Sequence, residues 1–201
     1  MALNTPVIAR RMALALSCSL LLGGASAFAQ SQSPTAAAPR VKLATSVGDI
    51  VVELAPDKAP KTVQNFLTYV KDKHYDGTVF HRVIDGFMIQ GGGYTADLAQ
   101  KPTRDAIPLE ASNGLKNDTY TIAMARTGNP NSATSQFFIN VKNNDMLNAP
   151  NPDGYGYTVF GKVVAGQDVV DKIRAVPTGN KGGMQNVPLA PVIIQSATLA
   201  K

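Results

Sequence analysis

Apolar and polar positions alternate over several short segments of the chain, and in two places they change to helical spacing. Six segments follow the period of two that is typical of half-buried strands, namely residues 41–45, 49–54, 119–124, 136–141, 157–164 and 192–199. After residue 54, an apolar face at helical spacing predicts a helix with Asp57 as its cap and Pro60 in its first turn. That face consists of Val63, Phe66, Leu67 and Val70. Residues 167–174 predict a second, shorter helix.

Residues 80–93, with the sequence FHRVIDGFMIQGGG, predict a β-hairpin that carries two polar side chains among apolar ones. An Asp-Gly pair in its middle is a turn signal. A three-residue loop sets Arg82 opposite Gln90 on one face, whereas a two-residue loop sets Arg82 opposite Ile89. We favour the three-residue loop, because it brings the two polar groups together.

The connections between these elements indicate the fold class. Residues 94–117 are polar and rich in turn residues, and residues 178–183 contain three glycines, so both are predicted to be loops. With the hairpin, the chain has about eight strands and two helices, and they do not alternate as in βαβ units. This order favours a mainly β fold, either an antiparallel barrel or a sandwich.

The first 29 residues carry the pattern of a secretory signal peptide. Arg10 and Arg11 form a short basic region, residues 12–22 are apolar but too few to span a bilayer, and an Ala-Phe-Ala cleavage pattern ends at Ala29. An uncleaved anchor and twin-arginine export are less favoured, because the cleavage site is well placed and the flanks of the arginine pair are poor. A lipoprotein is also less favoured, since Cys18 lies inside the apolar region.

Cleavage after Ala29 leaves 172 residues, of which 30–40 form a flexible, proline-containing tether and 41–201 form one domain. Cys18 is the one cysteine of the chain and is removed with the signal peptide. The mature protein therefore has no disulfide, no thiolate nucleophile and no zinc–thiolate site. It retains 17 basic and 14 acidic residues, and a net charge of +3 is too weak to indicate a nucleic-acid partner.

Three motifs in order carry a resemblance to a known family. They are residues 80–93, residues 135–139 (SQFFI) and residues 159–163 (VFGKV). Together they resemble the cyclophilin-type peptidyl-prolyl isomerases. The resemblance implies a closed eight-stranded antiparallel β-barrel capped by two α-helices, and an isomerase without metal or cofactor. It also implies proline-containing peptides and unfolded exported proteins as partners, a periplasmic location as in the exported bacterial branch, and a monomer.

The chemistry of X-Pro rotation suits Arg82. The barrier is lost amide resonance, and in the twisted state the proline nitrogen regains a lone pair. A fixed hydrogen-bond donor aimed at that nitrogen stabilises the twisted state more than either planar state. Such preferential stabilisation of the transition state is what catalysis requires. A guanidinium is charged at any physiological pH and offers a rigid fork of donors. Arg82 is therefore the candidate catalyst, and Gln90 is expected to orient it and to bind the substrate carbonyl.

The remaining candidate residues come from the resemblance. It implies a proline pocket with walls from Phe87, Met88, Phe138 and Leu147 and with Tyr157 at its rim, although each apolar wall residue could equally be ordinary core. It implies that Gln136 and the backbone around Ala125, Arg126 and Thr127 bind the peptide on the other side of a groove. Met146 stands where many members have a tryptophan that donates a hydrogen bond to cyclosporin, so weak cyclosporin binding is expected.

Several competing functions are weaker. The resemblance implies that His81 is structural rather than a catalytic base. Strict alternation also puts His81 on the opposite face from Arg82. That placement, and the lack of a nucleophile motif, disfavour a hydrolase that uses His81 with Asp85 and a serine.

The sequence gives little support for a metal or phosphate site. His74 is expected on a surface loop, and two histidines make a weak metal site. Residues 91–93 predict a tight turn rather than a phosphate loop. A proline-peptide binding module without turnover is disfavoured, because both polar groups of the hairpin are present.

Overall fold

The computed structural model describes residues 38–200. The predicted signal peptide lies outside the described residues, as does the tether up to residue 37. Ten strands occupy β1 Arg40–Thr45, β2 Gly48–Leu54, β3 Thr78–Ile84, β4 Met88–Thr95, β5 Thr121–Met124, β6 Phe137–Asn140, β7 Val159–Ala165, β8 Thr178–Lys181, β9 Met184–Pro188 and β10 Ile193–Ala200. Two α-helices, α1 Pro60–Lys71 and α2 Gln167–Arg174, and the 3-10 turn Asp145–Leu147 complete the elements. None of the described helices is long and apolar enough to cross a bilayer.

Eight of the strands close into a barrel in the order β1-β10-β3-β4-β6-β5-β7-β2, and every neighbouring pair is antiparallel. The interior is filled by aromatic side chains of the strands and of α1. The Phe66 ring of α1 lies 5.2 Å from Phe160 and 5.8 Å from Phe137, centroid to centroid. Val170 and Ile173 of α2 are buried in the same core. The predicted mainly β, closed eight-stranded barrel with two helices is confirmed.

The start of α1 differs from the prediction. Its N-cap is Ala59, which makes no side-chain cap, and Pro60 occupies the first turn as expected. The carboxylate of Glu110 accepts the backbone N–H groups of Lys61 and Thr62 at 3.1 and 2.9 Å. The cap predicted at Asp57 is therefore supplied by a residue about 50 positions away, which local sequence does not reveal.

The β3–β4 hairpin has the predicted register, with Arg82 opposite Gln90 and a three-residue loop. One feature departs from strict alternation: Phe80 pairs with Gly91, so β3 has one extra residue, His81, between two successive pairs. Phe80 and Val83 consequently both lie in the barrel core. His81 and Arg82 therefore share the outer face, and the prediction that they face apart is wrong.

The predicted loop at residues 178–183 is also wrong, because β8 and β9 form an antiparallel hairpin beside the barrel. Its turn is made by Gly182 and Gly183, which both have positive φ angles of 58° and 78°. The turn glycines made the whole segment resemble an irregular loop. The segment predicted as a long loop from residue 94 contains only two isolated bridges, Tyr94 to Gln100 and Ile107 to Ala133, after β4 ends at Thr95.

Candidate active site

A pocket of about 110 Å³ lies on the outer face of the barrel, where β3, β4, β5 and β6 meet the segment around residues 147–157. Nine of the twelve predicted site residues line it, namely Arg82, Phe87, Met88, Gln90, Ala125, Arg126, Phe138, Leu147 and Tyr157. Thr127, Gln136 and Met146 do not. The structure thus brings most of the predicted residues together from five separate segments.

The apolar wall is a second cluster, separate from the barrel interior. Its buried members are Met88, Ala123, Phe138, Leu147 and Val159. Strand alternation produces it, because in β6 Phe137 points into the core and the next residue, Phe138, points out. Phe138 is only 4% exposed and packs edge-on against Tyr157 at 5.7 Å.

A chain of three polar side chains crosses the open side of the pocket. The Arg82 Nη1 atom donates to Gln90 Oε1 at 3.4 Å, and Gln90 Nε2 donates to Gln136 Oε1 at 3.0 Å. Within residues 38–200, no carboxylate lies at ion-pair distance from Arg82. The half-buried guanidinium of Arg82 is thus oriented by one weak hydrogen bond, and its other N–H groups are left for a ligand.

The glycines at residues 91–93 belong to β4, so the predicted tight turn is wrong. Their role is close packing. A Cβ atom on Gly93 would lie 2.5 Å from Cγ of Gln136, and one on Gly92 would lie 2.9 Å from the rings of Phe137 and Tyr75. Because glycine has no Cβ, Gln136 lies directly across β4 and reaches Gln90.

His81 is buried beside the site, with 5% of its surface exposed. The pKa of His81 is lowered to about 4, chiefly by burial and to a smaller extent by the positive charge of Arg82, while an interaction with the Val79 backbone opposes the shift. The ring packs on Tyr94 at 4.6 Å, and Nδ1 has no partner among the described residues. A neutral, packed imidazole agrees with a structural role.

The hydrolase arrangement is not assembled. Asp85 is exposed in the hairpin loop, where it accepts the Gly86 N–H at 2.8 Å and lies 3.5 Å from Arg174 of α2. His74 lies in the turn between α1 and β3, as the loop prediction expected, and it is only partly exposed. His74 is half-buried against Tyr69, with ring centroids 4.6 Å apart, and burial lowers its pKa. Among the described residues, no group of three His, Cys, Asp or Glu side chains could hold a metal ion.

Arg126 has a different environment from Arg82. Its side chain is 1% exposed and forms an ion pair with Asp153 at 2.8 Å. Its Nε and Nη2 atoms donate to the Gly156 carbonyl at 3.0 and 2.8 Å, and Nη1 donates to the Thr127 carbonyl at 2.9 Å. The guanidinium lies 4.4 Å from the centroid of the Tyr157 ring. Arg126 therefore positions the segment that carries Tyr157, and its donors are committed within the protein.

The hydrogen bond from Arg126 also lowers the pKa of the Asp153 carboxyl, so this carboxyl stays ionised to lower pH than an isolated aspartate. Thr127 lies at the edge of this region, where its hydroxyl donates to Ser132 Oγ at 2.8 Å. Met146 is 54% exposed on the turn before Leu147. Leu147, which follows Met146 in the sequence, lines the pocket, whereas Met146 does not.

A network of buried asparagines supports the pocket, and sequence reasoning missed it. Asn144 donates to the Phe87 carbonyl at 2.8 Å and to Asn140 Oδ1 at 2.7 Å. Asn140 donates to Asn117 Oδ1 at 3.2 Å, and Asn117 donates to the Leu147 carbonyl at 3.1 Å. The network fixes the backbone of two wall residues on opposite segments. The one sequence signal was the unusual number of asparagines around residues 140–151.

Comparison with known proteins adds three findings. The model of the family described as "Cyclophilin type peptidyl-prolyl cis-trans isomerase/CLD" matches residues 40–199. The peptidyl-prolyl cis-trans isomerase cyp18 of Streptomyces antibioticus is 60% identical over 161 residues, which cover 79% of this chain and 97% of that protein. Peptidyl-prolyl cis-trans isomerase B of Escherichia coli strain K12 is 55% identical over 159 residues, which cover 78% of this chain and 97% of that protein.

Solved structures agree with these relatives. A cyclophilin type peptidyl-prolyl cis-trans isomerase of Cryptosporidium parvum is similar to this chain with a TM-score of 0.67 at 28% sequence identity. The similarity covers 82% of this chain and 98% of that one. The cyclophilin AquaCyp293 of Hirschia baltica has a TM-score of 0.65 at 25% identity and covers 80% of this chain and 73% of that one.

Proposed function

Since the chain belongs to the cyclophilin-type peptidyl-prolyl cis-trans isomerases and is an enzyme of that activity, we propose that Arg82 is its electrostatic catalyst. The observation that carries this proposal is the position of Arg82. It is the charged group at the open side of an apolar pocket that has donors to spare, whereas the donors of Arg126 are committed.

The mechanism needs no covalent step. As an X-Pro bond twists, the proline nitrogen loses its amide resonance and becomes pyramidal, with a lone pair that can accept a hydrogen bond. A donor N–H of Arg82 stabilises that lone pair and finds no equivalent acceptor in the planar cis and trans states. The interaction therefore lowers the barrier rather than only binding the substrate. The half-buried setting of Arg82 strengthens the hydrogen bond relative to water.

Gln90 has two tasks in this scheme. Its Oε1 atom accepts from Arg82 and fixes the guanidinium, while Gln136 fixes the amide of Gln90. The second hydrogen on Gln90 Nε2 remains available to the carbonyl of the substrate. Gln136 does not line the pocket for the proline ring, and it acts there through Gln90.

The proline ring occupies the apolar pocket, where Phe138 forms the floor and Leu147 and Tyr157 form one side. Phe87 and Met88 form the opposite side. Removal of the ring from water supplies the binding energy, and the packed walls orient the X-Pro bond toward Arg82. The backbone at Ala125, Arg126 and Thr127 borders the pocket. The Ala125 N–H donates to the Gln136 carbonyl at 3.0 Å and the Thr127 N–H donates to Ser132 Oγ at 2.9 Å, so the Arg126 N–H is the backbone donor that we assign to the substrate.

The cellular setting is part of the same proposal. The signal-peptide pattern ending at Ala29 supports export, so the enzyme acts on X-Pro bonds of unfolded proteins in the periplasm. Slow X-Pro isomerisation limits the folding of such proteins, which gives the activity its use. We also propose that the protein acts as a monomer, as the family resemblance implies.

The rival function is a module that binds proline-containing peptides without turnover. The experiment that separates the two is a stopped-flow or NMR exchange assay of cis–trans isomerisation in a short X-Pro peptide. Our account predicts an exchange rate that rises in proportion to enzyme concentration. Saturable peptide binding without any gain in exchange rate would support the binding module and contradict the proposal.

A further inference from the structure

A second groove, of about 400 Å³, opens beside the pocket and shares Arg82 and Gln90 with it. Its other walls are side chains that the proposed mechanism does not require to touch the substrate, namely His81, Tyr94, Gln136, Met184, Gln185 and Asn186. The last three belong to β9, in the hairpin that lies outside the barrel. We call this space the hairpin groove.

We propose that the hairpin groove is a subsite for the residues of the substrate polypeptide next to the proline, whose extended backbone it binds through amide hydrogen bonds. The inference rests on the proposed function of the pocket. A polypeptide continues on both sides of the proline, so the residues next to it need space beyond the pocket of about 110 Å³ that we assign to the ring. Because Arg82 and Gln90 border both spaces, substrate residues that leave the pocket past these side chains enter the groove.

The lining selects the kind of ligand. Gln136, Gln185 and Asn186 carry primary amides, which both donate and accept hydrogen bonds. An extended backbone presents alternating N–H and C=O groups, so it matches such a lining better than a charged side chain does. Tyr94 and Met184 add apolar surface for small side chains on either side of that backbone. The groove therefore favours contact with the main chain over recognition of a particular sequence.

The β8–β9 hairpin, which forms one wall of the hairpin groove, is held in place by contacts within the protein. Val187 is 5% exposed and anchors β9 in the protein, and the Leu189 N–H donates to the Pro177 carbonyl at 2.9 Å to close the base of the hairpin. Gln185, by contrast, is exposed and Met184 is half-exposed. A rigid base with accessible side chains reduces the entropy lost when a peptide binds.

The experiment compares kcat/KM for a short blocked X-Pro dipeptide with the same dipeptide extended by three alanines, on the N-terminal side in one series and on the C-terminal side in another. We expect one extension to raise kcat/KM at least about fivefold in the wild-type enzyme. The double variant Met184→Ala/Gln185→Ala should lose that gain and keep kcat/KM for the short dipeptide within about twofold. The single variant Gln185→Ala should lose part of the gain, and circular dichroism reports on folding.

The matched control is Asn180→Ala, an exposed residue of the same hairpin that does not line the groove, which should keep the full gain. The inference is overturned if neither extension raises kcat/KM, or if the double variant retains the gain. The inference is also overturned if the double variant loses kcat/KM equally on the short and the extended peptides. The hairpin would then affect the catalytic residue Arg82 rather than bind the additional residues. If the wild-type enzyme does not turn over the short dipeptide, the proposed function itself fails, which is a separate outcome.

Discussion

At the residue scale, the two arginines beside the pocket show how environment assigns a role to a side chain. Arg82 is half-buried with one long hydrogen bond to Gln90, whereas Arg126 is fully enclosed and bonded to Asp153 and to two backbone carbonyls. The sequence predicts a catalytic side chain at Arg82 and only a backbone contact with the substrate at Arg126. In the proposed mechanism, Arg82 is the catalyst because its guanidinium keeps free donors, whereas Arg126 only positions the segment to which its donors are bonded.

His81 gives a pH prediction at this scale. An unfolded histidine titrates near 6.5, whereas the pKa of folded His81 is about 4. Between these values the unfolded state takes up the proton and the folded state does not. The contribution of His81 to the free energy of unfolding therefore falls as pH drops from about 6.5 to 4, by up to roughly 3 kcal/mol. Above that window it is constant, so His81 imposes no pH dependence on activity between about pH 6 and 8.

Denaturant unfolding at pH 7 and pH 4.5 tests this, with His81→Gln as the matched variant. The wild-type protein should lose more stability on acidification than the variant, since all other titrating groups, including His74, are common to both. Equal losses would show that His81 titrates normally in the folded protein. A pH–rate profile that His81→Gln abolishes would make His81 catalytic.

Adjacent residues at the 3-10 turn should respond differently to truncation. Leu147 is 8% exposed and lines the pocket, so Leu147→Ala should lower kcat/KM about tenfold, chiefly through KM, as apolar contact with the proline is lost. Met146 is 54% exposed and does not line the pocket, so Met146→Ala should change kcat/KM less than twofold. Steady-state kinetics on folded protein decide this. Equal effects of the two substitutions would place Met146 against the substrate.

At the element scale, the register of the β3–β4 hairpin was predictable, because one loop length pairs Arg82 with Gln90 and the other does not. The bounds of α2 were predictable from its apolar spacing. The extra residue at His81 was not, since a bulge depends on which side chains the barrel interior accepts. The asparagine network could not be predicted from the sequence either, because its members come together only when β5, β6 and the following segment pack.

The segment that carries Asp153 and Tyr157 depends on the Arg126 fork. Arg126→Lys keeps the charge, but an ammonium cannot reproduce the planar set of bonds to Asp153 and the Gly156 carbonyl. We expect KM to rise about threefold to tenfold with kcat nearly unchanged, because Tyr157 loses its fixed position while Arg82 does not. The measurement is a KM and kcat comparison.

The matched control for this prediction is Arg174→Lys, the same substitution at a half-exposed arginine of α2. It should leave both kinetic constants unchanged, since exposed ion pairs contribute little. A fall in kcat with unchanged KM in Arg126→Lys would contradict a positioning role and would make Arg126 part of the catalytic step.

At the scale of the whole molecule, the buried apolar residues form two separate clusters, one inside the barrel and one at the pocket. The inner cluster fills the barrel and α1 and determines the fold, whereas the outer cluster around Phe138 forms the pocket. Arg82 belongs to neither cluster. Arg82 is half-buried on the outer face, so its substitution is expected to leave the fold intact.

The export proposal is tested on the full chain in its host cell or in an exporting bacterium. Fractionation should place the protein in the periplasm, and N-terminal sequencing should begin at Gln30, because cleavage follows Ala29. As a control, a charge placed in the apolar region by Leu20→Arg should retain the uncleaved chain in the cytoplasm. Cytoplasmic protein with an intact Met1, without that substitution, would refute the proposal.

The central claim is that Arg82 stabilises the twisted amide, and the most direct measurement is kcat/KM of Arg82→Ala with an X-Pro peptide. We predict a fall of about 10²–10³, which corresponds to roughly 2.7–4 kcal/mol of lost transition-state stabilisation, with an unchanged circular dichroism spectrum. Arg82→Lys should also be impaired, since one ammonium does not replace the fork. Wild-type turnover by a folded Arg82→Ala protein would contradict the account.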